Sequence, residues 1–112
     1  MAARRHGNGT LVVLVTCPNQ DVGQTIGKAL VEERLAACVN IIPRLRSIYR
    51  WEGKLCQDPE VLLVVKTRAT CLAALTRRVK ALHPYSNPEV IAVPVAGGSS
   101  PYLAWVREST RQ

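Results

Sequence analysis

Fifteen residues from Cys38 to Glu52 (CVNIIPRLRSIYRWE) alternate in character, and Glu52-Gly53-Lys54 turns that run straight back into Leu55–Thr67. A period of two sends successive side chains to opposite faces of a strand. Leu45, Ser47, Tyr49 and Trp51 therefore share one face, and Arg44, Arg46, Ile48 and Arg50 the other. Fully extended, such a run reaches about 50 Å, whereas a chain of 112 residues packs into a globule about 35 Å across. The hairpin is expected to project beyond its own domain, bent or bulged at Pro43.

The flanking segments fill in a mixed fold. Thr10–Cys17 (TLVVLVTC) is rich in β-branched residues and closes at Pro18, as a buried strand does. Asn19 or Gln20-Asp21 caps a helix in which Val22, Ile26, Ala29 and Leu30 recur at helical spacing as far as Leu35. A second helix carries Leu72, Leu75, Val79 and Leu82 on one stripe and is stopped by Pro84. Pro88–Val95 reads as a fourth strand, Gly97-Gly98-Ser99-Ser100 as a break, and Pro101–Arg111 as a last helix. The order βαββαβ plus a C-terminal helix predicts an α+β, ferredoxin-like sandwich. Its two main helices would cover one face of an antiparallel sheet, with the long hairpin of strands two and three projecting.

A polar arm over residues 1–9 followed by a single domain over 10–112 is the expected division. The longest apolar runs, Leu11–Val15 and Val61–Val65, fall far short of a membrane span, so no membrane association is expected. Cys17, Cys38, Cys56 and Cys71 form no CxxC pair, and without a secretory leader they read as reduced cytoplasmic thiols. The net charge of +7 raises nucleic acid as a partner, but strands one and three carry no aromatic residue on which a base could stack. No Gly-rich phosphate loop and no nucleophile–base pairing is in register, so catalysis is not expected.

Strands one and three are apolar on both faces, yet helices can cover only one. A second copy of the chain must cover the other, so a closed homo-oligomer built sheet against sheet is expected.

LVTCP, ALVEERLAACVNIIP, SIYRWEGKL, EVLLVVKT, HPYSNPEVIAVPV and YLAWV, in that order, resemble the CutA divalent-cation tolerance family over about Leu11–Arg107. The resemblance implies a ferredoxin-like homotrimer related in architecture to the PII signalling proteins, a link to tolerance of copper and other divalent cations, and in animal members the anchoring of a partner protein. Three positions depart from the family's copper-binding members: Val15, Leu82 and Ser86 stand where a Cys, a His and an oxygen ligand would, which leaves His83 alone. Copper prefers imidazole and thiolate, so the expected metal ligands are His83, Cys17 and Cys38 with Glu89 as a harder carboxylate, completed across subunits. Asn40, Tyr49, Trp51, Lys66, Tyr85 and Tyr102 are expected to line an inter-subunit cleft, and the resemblance to PII-like trimers implies a small anionic ligand at Lys66, Asn40 and Tyr102. The alternative is a non-catalytic trimeric scaffold that organises a partner protein.

Overall fold

The computed structural model describes residues 9–111. The arm expected over 1–9 lies, apart from Gly9, outside the described residues. The elements run β1 (Thr10–Cys17), α1 (Gln20–Glu32), β2 (Cys38–Trp51), β3 (Lys54–Arg68), a 3-10 turn (Ala69–Cys71), α2 (Leu72–Leu82), β4 (Ile91–Pro94) and α3 (Ser100–Glu108). They form one four-stranded sheet in the order β2-β3-β1-β4, with every pair antiparallel. This is the expected ferredoxin-like plan.

The core lies between the sheet and the helices. Val13, Val15 and Cys17 of β1 and Val61, Leu63 and Val65 of β3 meet Ile26 and Leu30 of α1 and Leu75 and Val79 of α2. A Cβ on Gly23 would stand 3.2 Å from Val61 and one on Gly27 3.2 Å from Val39, so these two glycines let α1 lie close against the strands. At the start of α1 the Asn19 side chain accepts from the Val22 N–H at 2.9 Å. At its end Arg34 takes a positive φ of 60° and redirects the chain, so the helix stops short of the expected Leu35.

The hairpin turns on Glu52 and Gly53, both at positive φ, the geometry that matches strand twist in a two-residue connection. The register slips between Ile42 and Leu45, where Arg44 sits at φ 64°. This is the bulge expected at Pro43: the extra residue lets Pro43 stay in the strand without giving an N–H to the ladder. The molecule extends 44 × 34 × 23 Å, its long dimension exceeding the globule expected for this length. Only Ile91–Pro94 of the expected fourth strand is paired. Pro88 cannot donate to a ladder, and Glu89 just after it bonds the Thr16 side chain at the end of β1 instead.

The helix α3 is fastened at its C-terminal end. Val106 and Thr110 are fully buried, Arg68 reaches the Thr110 hydroxyl at 3.0 Å, and Arg34 donates to the Glu108 carbonyl at 2.7 Å. On the opposite face of the sheet, away from α1 and α2, α3 reaches the end that carries Arg68. Val12, Leu14, Leu62 and Val64 lie on that face half-buried, while Ile42, Ile91 and Val93 at its edges are exposed.

Candidate functional site

Polar groups interrupt this apolar face at its two ends. One end is built where α2 stops. Leu82 is its last residue and Pro84 prevents continuation, so His83 takes an extended conformation while its N–H still closes on the Val79 carbonyl at 2.8 Å. His83 is only 7% exposed. Its Nε2–H donates to the Thr16 carbonyl at 2.8 Å, and its Nδ1 accepts from the Tyr85 N–H at 3.2 Å. Both nitrogens are thereby committed, and the bonding pattern fixes the tautomer. The Tyr85 ring leans against the imidazole, centroids 4.6 Å apart.

His83 thus holds the loop after α2 against the end of β1 and aims Tyr85 across the sheet. The Tyr85 hydroxyl donates to Glu60 at 2.6 Å, and Glu60 is almost wholly buried. Burial, then the Glu60 hydrogen bond and charge, push the Tyr85 phenol well above its ordinary pKa. Beside it the Tyr49 hydroxyl donates to Asp58, chiefly through which its pKa is pushed up to about 12. Glu89 is raised above the usual carboxylate range first by burial and then by the negative charge of Glu60, while the Thr16 side chain bonds it and pulls the other way. The result is a cleft of about 580 Å³ lined among others by Thr16, Tyr49, Trp51, Glu60, Tyr85 and Glu89.

The structure brings three of the four expected metal ligands to the end of β1 but does not turn them toward one point. Cys17 faces the helix layer, fully buried, and its thiol is pushed up to about 11 by burial and by Glu60, which keeps it protonated. His83 has no free nitrogen, and Glu89 alone lines the cleft. Cys38 pairs with Lys66, near the other end of the face. Among the described residues no group of three or more His, Cys, Asp or Glu side chains is placed to hold a metal ion. Within one chain the thiolate–imidazole set that copper favours is therefore not assembled. The donors presented are carboxylate, phenol and hydroxyl oxygens, which suit harder divalent cations.

The six residues expected to line one cleft divide into two groups. Tyr49, Trp51 and Tyr85 line the acidic cleft. Asn40 and Lys66 stand with Cys38 farther along the same face, since Lys66 lies six residues beyond Glu60 on β3, roughly 20 Å, and Tyr102 comes near Cys38 from α3. Thr16, Asp58 and Glu60 stand outside the sequence-based expectation. For Glu60 the sequence does hold a signal: it occupies the same face as Leu62 and Val64 and opposes Leu45, the second of two carboxylates, after Asp58, at the head of an apolar run.

Comparison with known proteins agrees with the fold and the motifs. A family model described as CutA1 divalent ion tolerance protein matches residues 11–109. The chain is 59% identical over 99 residues to the divalent-cation tolerance protein CutA of Thermus thermophilus, covering 88% of this chain and 96% of that protein. It is 51% identical over 102 residues to a chloroplastic CutA protein of Arabidopsis thaliana, covering 91% of this chain but only 56% of that one. The solved Thermus thermophilus divalent cation tolerance protein superposes with a TM-score of 0.90 at 57% identity, over 91% of this chain and 99% of the other.

Proposed function

The chain belongs to the CutA1 divalent ion tolerance family, and from that premise we propose that it acts in the handling of divalent cations as a homotrimer whose acidic clefts are completed by a neighbouring subunit. The cleft around Glu60 and Glu89 carries this reading. It gathers oxygen donors at the rim of an apolar sheet face that one chain leaves uncovered, in a protein whose net charge is +7. Two carboxylates that repel each other in a partly buried site gain most from a cation between them.

Residue roles follow from the geometry. Glu60 and Glu89 are the cation-facing carboxylates, and Tyr85 and Tyr49 orient Glu60 and Asp58. His83 positions the loop that carries Tyr85 and Glu89. Copper belongs to this scheme only if a neighbouring chain supplies a thiol or imidazole. The protein is read as non-catalytic, in keeping with a family named for tolerance. No helix among the described residues is long and apolar enough to cross a membrane. All four cysteines are free, which supports a reducing compartment such as the cytoplasm.

Native mass spectrometry with limiting manganese, zinc and copper, each added separately, tests the proposal. A trimer retaining a fixed, saturable number of ions, lost in Glu60→Gln and Glu89→Gln, is expected. A metal-free trimer overturns cation binding and promotes a scaffold that organises a partner protein. A monomer overturns the assembly.

A further inference from the structure

The acidic cleft is wider and more aromatic than a divalent ion requires. At about 580 Å³ it has the size of sites that enclose small organic molecules. Tyr49 and Trp51 stand two residues apart on one face of β2, and Tyr85 comes from the loop after α2. Of the chain's two Trp and three Tyr residues, these three line the cleft. The Tyr49 and Tyr85 hydroxyls are spent on Asp58 and Glu60, which tethers both rings and leaves their apolar surface as wall.

The charge inside these walls is unanswered. Glu60 is only 8% exposed and takes one hydrogen bond, from Tyr85. Among the described residues the ion pair Arg78–Glu33 is the only one, so neither Glu60 nor Glu89 meets a cationic side chain. The chain has 15 Lys and Arg residues, yet none lines the cleft. A carboxylate buried this far is ordinarily paired with a cation. An ammonium brings N–H donors for the carboxylate oxygens and is drawn to aromatic faces, whereas a compact metal ion uses only the oxygens.

We propose that the cleft takes a small organic cation of the alkylammonium class, its ammonium group on Glu60 and Glu89 and its alkyl part against Tyr49, Trp51 and Tyr85. This rests on the reading of the cleft as a cation site and adds a class of ligand that the aromatic walls select.

Butylammonium, protonated at neutral pH as lysine is, is the probe. It is titrated at constant ionic strength into the isotope-labelled full chain while the backbone amide resonances of Thr16 and Glu60, both lining the cleft, are followed. The indole resonance of Trp105, on α3 and outside the cleft, is the internal control. A saturable shift at the two amides alone is expected, with binding about tenfold tighter than that of butan-1-ol, which lacks the charge, or of ammonium, which lacks the alkyl chain. Trp51→Leu should weaken butylammonium about tenfold, and Trp51→Phe, which keeps an aromatic wall, should retain most of the affinity. Glu60→Gln should abolish binding. No shift, equal binding of butan-1-ol, a comparable shift at Trp105, or unchanged affinity in Trp51→Leu or Glu60→Gln overturns the site. Should Glu60→Gln fail to fold, Glu89→Gln takes its place: weakened binding supports the site and unchanged binding overturns it. Manganese retention, measured by native mass spectrometry on the same protein, separates this inference from the divalent reading. A chain that keeps manganese and shows no butylammonium shift overturns the organic-cation site alone. One that binds butylammonium and keeps no metal supports it and overturns the divalent reading.

Discussion

At the scale of single residues, His83 shows how a side chain that looks like a ligand can be a fastener. Its nearest covalent context, a helix end before proline, is legible in the sequence, and a histidine there reads equally as cap or metal ligand. What decides the matter is a carbonyl on Thr16, 67 positions away, and no local pattern announces a backbone acceptor at that separation. Removing the ring in His83→Ala deletes both hydrogen bonds and leaves the Thr16 carbonyl without its partner, which should cost about 2–3 kcal/mol in urea unfolding. Glu89 responds to pH with a sign fixed by its environment. An acid whose folded pKa is raised binds its proton more tightly when folded, so the associated stability is present below the unfolded value near 4.5 and is lost as pH rises through the folded value. Glu89→Gln removes that loss. The variant should melt higher than wild type at pH 7 with chelator present, and the gap should close toward pH 4. A bound divalent cation should reverse the order, since it stabilises the paired carboxylates of wild type and finds less to hold in the variant.

At the scale of elements, the sequence reveals whatever local chemistry decides. Asn19 before an apolar helical stripe, Gly53 between two alternating runs and Pro84 after Leu82 each act within a few residues, and the boundaries they set are close to those observed. Boundaries set by tertiary placement escape such a reading: α1 stops early at the left-handed Arg34, and β4 is half its expected length where Glu89 lines the cleft and Val90 packs on the core. The site is hidden for the same reason, for Glu60 and Tyr85 come from different parts of the chain and meet only once the sheet is formed. Local devices should also be separable by measurement. Asn19→Ala, which strips the bond to the Val22 N–H, should lower stability by about 1 kcal/mol. Gly53→Val forces a β-branched residue into a φ of +79° and should cost at least about 1 kcal/mol. Equilibrium denaturation measures both.

At the scale of the whole molecule, the open face has to satisfy two demands together. Its centre, Leu14, Leu62 and Val64, is apolar and half-exposed in one chain, a surface that a stable protein normally covers. Its ends carry opposite signs, with carboxylates near Tyr85 and an ammonium at Lys66. Covering the centre with other copies would bring the acidic rim of each subunit against a neighbour and enclose the cleft that a single chain leaves open. Assembly and cation binding should therefore fail together when the centre is spoiled, although the fold beneath has its own core on the helix side. Val64→Asp places a charge where two sheets would meet, while Leu63 and Val65, which point into the helix-side core, are left untouched. Sedimentation velocity should find a folded monomer with unchanged helical circular dichroism, and titration should find it without saturable retention of the divalent ion. A Val64→Asp chain that remains trimeric would show that the sheet face is not the interface. One that becomes monomeric yet binds the ion as tightly as wild type would show that each cleft is sufficient alone.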